Sequence, residues 1–463
     1  MKNWKRRIAL LCAVSITVVL FVGCGHNTGQ EEPVSAPGTE QESGAGGGET
    51  ITLRMIDSLA SESRTAALKT IIQAYEKEHS RIKIELISPP TENADQKIQQ
   101  MLMSNEQLDI IDTGNGFPVC LNNGWVQPLN AYLEGWEGMD TLSDAAKSRM
   151  TIYAKNGTDI WCIPYGIYQK LLFYRVDRFQ EADITPPEVW TWQDVYEIGV
   201  KLTQPENGKY GFAFRGGTRG QFEYDYLLLS YLGDDALLDN ESYRGFTSDG
   251  GSIYRRPEAL EALEFYKKLY TDCSPEDSIS WGFTEMVQGF MSGTCAMLMQ
   301  DNDVIQSCES GLDPAVWTAA MVPLGPSGYG TQSCGFGGWA LTSKTDHPEE
   351  AADFLKYLSS AENNGYFCEQ TGLLPIHTTT LESNAYFSSG VYNVFNDMDA
   401  ISEKYRIFQS WGVDYTFAAT FGTDRDEYLQ KYLKDQVEAS DLLDYWASSW
   451  EKVAEEEGQL WQK

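Results

Sequence analysis

Histidine is scarce: the chain has four in 463 residues, His26, His79, His347 and His377, and no two are spaced as a pair of metal ligands. The patterns H-E-x-x-H, G-x-S-x-G and G-x-x-x-x-G-K-[ST] are absent, so the short signatures of zinc proteases, elbow-type hydrolases and P-loop enzymes are missing. GFGGW at 335–339 is glycine-rich but does not match a dinucleotide loop. The acid clusters TDRDE and NDMDA lack a calcium-loop pattern and read as solvated charge. No cofactor and no metal site is expected. Basic residues are also few: 35 Lys and Arg stand against 67 Asp and Glu, for a net charge of −32. Such a surface repels nucleic acid and anionic headgroups, which argues against a nucleic-acid partner. The one long apolar run, residues 8–22, falls short of the roughly 20 residues that span a bilayer.

That run instead has the make-up of an export signal. Lys2, Lys5, Arg6 and Arg7 precede it, and Gly23-Cys24 ends it. LFVGC resembles the bacterial lipobox, which implies cleavage after residue 23 and lipidation of Cys24. Residues 25–49 are rich in Gly, Glu, Ser and Pro and have little apolar surface to bury, as expected of a disordered tether. Loss of the first 23 residues removes four cations and takes the charge from −32 to −36. Of nine cysteines, Cys12 leaves with the signal and Cys24 is the anchor. The other seven, Cys120, Cys162, Cys273, Cys295, Cys308, Cys334 and Cys368, are odd in number and lack C-x-x-C spacing. Most are expected to be buried thiols, with one disulfide left open.

From about residue 50 the pattern is α/β. ITLRMI (51–56) and IKIELI (82–87) alternate like strands, and LDIID (108–112) is a short apolar run. Between the first two, Leu68, Ile71, Ile72 and Tyr75 mark one helix face, and a second helix is expected over 94–104. This β-α-β-α-β order predicts a mostly parallel sheet, with ligands beyond the carboxyl ends of its strands. Further on, Pro257 and Pro348 each open a helix, Thr284 is the expected cap of another, and CAMLM (295–299) is a buried strand. Residues 215–226 (RGGTRGQFEYDY) read as a loop, and residues 425–453 as helix.

A larger resemblance begins at Trp161. Ile163-Pro164-Tyr165, then Tyr174-Arg175-Val176-Asp177-Arg178-Phe179, then Trp190-Thr191-Trp192-Gln193-Asp194 follow the order of a signature of extracellular solute-binding proteins of ABC importers, the carbohydrate-binding family. Arg175 stands where that family has Asn. YGFAF (210–214), FMSGTCAMLM (290–299), MVPLGPSG (321–328), GGWALTSKTDHPEEAADFLKYLSS (337–360) and TGLLPIH (371–377) continue the resemblance in order. It implies a two-lobed periplasmic-binding-protein fold of type II, with hinge strands near 168–172, 321–324 and Pro375. The lobes would then be 50–168 plus 324–375, and 169–323 plus 376–463. It also implies a monomer that traps a mono- or oligosaccharide by lobe closure, presents it to an ABC permease, does no chemistry on it, and stays at the outer face of the membrane through Cys24.

A neutral sugar needs aromatic platforms and paired polar groups. Asp57, Asp112, Asn115, Tyr165 and Trp339 are the candidates from the first lobe, and Glu223, Tyr224, Trp281 and Asp301 from the second. Trp411 and Tyr415 lie where the family supplies a late aromatic. Trp161, Trp190 and Trp192 read as core. Gln300-Asp301-Asn302-Asp303 replaces the Trp that follows this strand in the maltodextrin-binding branch, which points to a more polar contact. A secreted glycan hydrolase, a receptor feeding a sensor kinase, and a receptor for a cation such as a polyamine remain as alternatives.

Overall fold

A computed structural model describes residues 49–463 apart from 115, 152, 155–156, 234–245, 248–250, 334, 396–401, 409–414 and 457–463. The expected signal segment, Cys24, the tether to residue 48, Asn115, Cys334 and Trp411 lie outside the described residues, as does the side chain of Tyr415. Among the described residues, no helix is long and apolar enough to cross a membrane.

Twelve strands are described: β1 (Ile51–Ile56), β2 (Ile82–Ile87), β3 (Ile110–Asp112), β4 (Val126–Gln127), β5 (Ile163–Tyr168), β6 (Lys170–Arg175), β7 (Tyr210–Phe212), β8 (Cys295–Asp301), β9 (Trp317–Ala320), β10 (Gly330–Ser333), β11 (Gly335–Thr342) and β12 (Tyr405–Phe408). The first sheet runs β2-β1-β3-β11-β4, with β5 also paired to β11. Its β1–β2 and β1–β3 pairs are parallel, joined by the helices Glu62–Glu78 and Thr91–Met103, as the alternating pattern predicts. Ile110 and Ile111 are both fully buried, so β3 is a continuous apolar run with cover on each face. The second sheet runs β7-β8-β6-β9. A two-stranded ladder pairs β10 with β12.

The sheets exchange chain at Gln169, between β5 of the first and β6 of the second. One side chain pins this crossing. Gln169 N–H donates to Asn302 Oδ1 at 2.9 Å, Asn302 N–H donates back to the Gln169 carbonyl at 2.9 Å, and Asn302 Nδ2 donates to the carbonyls of Ile167 at 3.3 Å and Gly372 at 3.0 Å. The third crossing falls later than Pro375. Ile376 is fully buried, and the His377 ring lies 2.7 Å from Thr141 Oγ1 and 2.8 Å from the Ser359 carbonyl, both in the first lobe. The helix Thr378–Ser383 packs on Ala361–Thr371, which itself packs on Glu62–Glu78. The chain rejoins the second lobe with the helices Tyr415–Leu433 and Ala439–Glu456, which pack on Gly220–Leu232 and Pro257–Cys273. The first of these also touches Phe117–Asn122 of the first lobe, so the two lobes meet there.

Three local readings are corrected. Residues 220–232 form a helix rather than a loop, because the Asp426 carboxylate accepts the N–H groups of Arg219 at 2.6 Å and Gln221 at 3.0 Å and so caps the helix from 207 and 205 residues away. The helix Phe283–Met291 starts one residue before Thr284, with the Gly282 N–H held by Glu285 at 2.9 Å. The C-terminal helical stretch is two helices, separated around Asp435, whose φ of 56° is left-handed.

Candidate functional site

The carboxyl ends of β1 and β3 carry Asp57 and Asp112, side by side and buried. Trp339 of β11 pairs with Asp112 on one flank and with Ile163 of β5 on the other, which brings Tyr165 alongside. Four of the five residues expected from the first lobe are thus brought together by strand register.

What sequence reading missed is the residue at their centre. Ser61 caps the helix Glu62–Glu78 and accepts the Arg64 N–H at 3.2 Å, which fixes Arg64 in the first turn on the buried face. Its Nε donates to Asp57 Oδ1 at 2.8 Å and Oδ2 at 3.0 Å. The guanidinium carbon lies 4.3 Å from the Tyr165 ring centroid, 4.9 Å from Phe367 and 5.4 Å from Trp339. The aromatic faces expected to stack on a sugar are therefore covered by an internal cation, and Tyr165 and Trp339 are 3% and 1% exposed. A signal was present: Arg64 stands four residues before Leu68, so the inward stripe of that helix begins with a cation.

Two polar atoms in this group have no partner. Asp112 Oδ2 accepts from Ser58 N at 2.9 Å and Ser58 Oγ at 2.6 Å, whereas Asp112 Oδ1 accepts nothing. Arg64 Nη2 likewise donates to nothing. Burial and the neighbouring Asp57 push the Asp112 carboxyl up to about 7, against the pull of Ser58 and Arg64.

The second-lobe candidates are dispersed. Glu223 is held by two buried cations, Lys170 Nζ at 3.0 Å and Arg215 Nη1 at 3.5 Å. Tyr224 is fully buried, its hydroxyl donating to the Ala259 carbonyl at 2.7 Å and its ring 5.3 Å from Trp446. This places it in the lobe interior: on a helix, neighbouring residues face different ways, and the loop reading had hidden that. Trp281 is half-buried, donates to Asp277 at 3.2 Å and packs over Gly289. Asp301 ends β8 opposite Lys170 and accepts from Ser333 Oγ at 3.3 Å. The six described cysteines are free and buried.

With this geometry in view, the comparisons are decisive on family. A family model described as bacterial extracellular solute-binding protein matches residues 60–365. The chain belongs to that family. The mannitol-binding protein of Pseudomonas aeruginosa is 24% identical over 258 residues, which are 55% of this chain and 55% of that one. The chain thus spans about half the length of that relative. The melibiose/raffinose/stachyose-binding protein of Bacillus subtilis is 20% identical, covering 78% of this chain and 82% of that one. Among solved structures, an ABC substrate-binding protein from Listeria monocytogenes in complex with cycloalternan has a TM-score of 0.72 at 17% identity, covering 89% of this chain and 100% of that one. Maltose-bound MalE3 of Thermotoga maritima has a TM-score of 0.71 at 18% identity, covering 87% and 99%. These likenesses establish the two-lobed maltose-binding-protein type of fold.

This solute-binding protein holds other raised carboxyls besides Asp112. Asp225, in the interior of the second lobe, is pushed up to about 7 by burial, although Tyr254 and Gln221 donate to it. Between the ordinary carboxyl value near 3.8 and 7, the folded chain keeps a proton that the unfolded chain releases. Stability from this group is therefore lost as pH rises through that window. Asp225→Asn should flatten the fall in melting temperature between pH 5 and pH 7.5 relative to the parent. Parallel profiles for the two chains would show that Asp225 titrates normally.

Proposed function

We propose that this protein captures a carbohydrate or polyol between its lobes and delivers it to an ABC permease, held at the outer membrane face by a lipid on Cys24. The observation that carries the reading is the buried Asp57–Arg64–Asp112 group at the strand ends, which holds one unpartnered acceptor, Asp112 Oδ1, and one unpartnered donor, Arg64 Nη2. A hydroxyl both donates and accepts, so it matches that pair; a carboxylate or an ammonium matches only half of it. The mannitol-, melibiose- and maltose-binding relatives give the same direction. The reading has no catalytic step: carboxylates at the site are tied to Arg64 and Ser58 rather than set across an open gap as a glycoside hydrolase requires.

Thermal unfolding of the full chain against sugars, polyols, amino acids and polyamines tests it. A ligand at 100-fold its Kd should add about 2.7 kcal/mol, raising the melting temperature by a few degrees. A shift with a sugar or polyol recovered intact is the expected result. A shift only with polyamines would replace the carbohydrate by a cation, and glycan cleavage would overturn the receptor reading. For the anchor, Cys24→Ala should move the protein from the membrane fraction to the medium; retention of the variant in the membrane would refute lipid attachment at this cysteine.

A further inference from the structure

The crossing at Gln169 carries an ionisable residue beside the amide that pins it. Asp303 follows Asn302 and is the N-cap residue of the helix Val304–Gly311. It stands between the lobes. A Cβ placed on Gly372 of the first lobe would lie 3.0 Å from both the Cα and the carbonyl oxygen of Asp303, and 2.9 Å from the Asn302 carbonyl, so only a glycine admits this contact. Tyr168, the last residue of β5, interacts electrostatically with the Asp303 carboxyl from the first lobe. Lys170, the first residue of β6, and Asp301, the last of β8, do so from the second. Asp303 Oδ1 is buried and accepts no hydrogen bond.

The groups around Asp303 pull in opposite directions. Burial is the largest influence and Asp301 the next, and both oppose ionisation. Lys170 and the N–H groups of Val304 and of Asp303 itself favour it. Lys170 is weakened in that role, because its Nζ is bonded to Glu223 at 3.0 Å. Tyr168 supplies no positive charge: burial, Tyr165 and Asp303 keep its phenol neutral against the pull of Arg64. The balance pushes the Asp303 carboxyl up to about 8. Part of the cover that does this, at Gly372 and Tyr168, belongs to the other lobe.

We propose that Asp303 makes the hinge pH-sensitive: protonated, it keeps the lobes packed at the crossing, and its ionisation favours their opening. The inference concerns the ligand-free chain and holds whatever the ligand is. Rotation of the lobes about Gln169 withdraws Tyr168 and Gly372 from Asp303, admits water to Oδ1 and returns the carboxyl toward its ordinary value near 3.8. The packed hinge therefore keeps a proton, between 3.8 and about 8, that the opened hinge releases. Across that window each unit rise in pH shifts the balance toward open lobes by up to about ten-fold, and the shift levels off above it. A ligand held by closed lobes is released more readily as pH rises.

The test is small-angle scattering of the ligand-free full chain from about pH 5.5 to 9.5, for the parent, Asp303→Asn and Asp301→Asn. The radius of gyration of the parent should rise with pH and level off. Asp303→Asn should stay at the compact value throughout, since the amide has no proton to lose. Asp301→Asn removes the like charge two residues away, so its profile should level off at a lower pH than the parent's. A packing role alone would offset a profile at every pH without moving its shape. Asp112 and Asp225 titrate in all three chains and cancel from the comparison. A flat profile for the parent, or the same slope in the parent and Asp303→Asn, would overturn the proposal. If Asp303→Asn does not fold, Asp301→Asn decides alone, and a profile that coincides with the parent's would overturn it.

Discussion

Arg64→Ala should destabilise the first lobe by about 3–5 kcal/mol, the cost of leaving a buried charge without its partner. Arg64 and Asp57 have side chains 4% and 0% exposed, so solvent cannot replace the lost guanidinium. The substitution also opens a cavity under Tyr165, Trp339 and Phe367, which now close on the guanidinium. The pull of Arg64 on Asp112 vanishes as well, so that carboxyl moves further up and stays protonated at neutral pH. Equilibrium urea unfolding reads the first effect. The double variant Asp57→Asn, Arg64→Met should recover a large part of the loss, because the charge that needed a partner is gone. A single variant within 1 kcal/mol of the parent would mean that the pair supports nothing. Ligand affinity should fall in both variants, since the vacant donor Nη2 is removed in each.

Asn302→Ala should cost about 2–4 kcal/mol and loosen the coupling between the lobes. The side chain is fully buried and serves three backbone groups: the Gln169 N–H and the carbonyls of Ile167 and Gly372. Each buried group left without a partner costs about 1–3 kcal/mol, and alanine offers no substitute. The position matters more than the sum. Ile167 and Gly372 belong to the first lobe, and Asn302 follows β8 of the second, so one amide sets the distance across the crossing at Gln169. Small-angle scattering of the variant should show a ligand-free population more open than the parent. Unchanged scattering together with unchanged urea stability would remove Asn302 from the hinge.

Much of the frame could be read locally. The strands at 51–56 and 82–87 and the helix between them follow from period-2 and period-3.6 apolar spacing, and each stands where expected. The helices opened by Pro257 and Pro348 follow from a fixed φ and a missing N–H. The crossings near 168–172 and at Pro375 were implied by the family resemblance rather than by any local pattern. The structure holds the chain on the first lobe beyond that point, through the buried His377 ring.

The candidate site divides in the same way. That Asp57, Asp112, Tyr165 and Trp339 lie together could be expected because strand ends and their flanks are short-range features. Arg64 was not expected there, because a helix pattern shows which face is buried but not which distant group meets it. Glu223 and Tyr224 were assigned to a loop because residues 215–226 mix Gly, Arg and aromatics. The cap of their helix is Asp426, 207 residues away. The sequence alone determined an acidic α/β solute-binding chain, since periodicity, punctuation and motif order are properties of neighbours along it. Only the tertiary structure decided that a cation covers the aromatic faces, which carboxylate oxygen stays vacant, and where the lobes exchange chain. Each of those depends on a hydrogen bond, ion pair or ring contact between residues far apart in the chain, and pairing across that distance leaves no local trace.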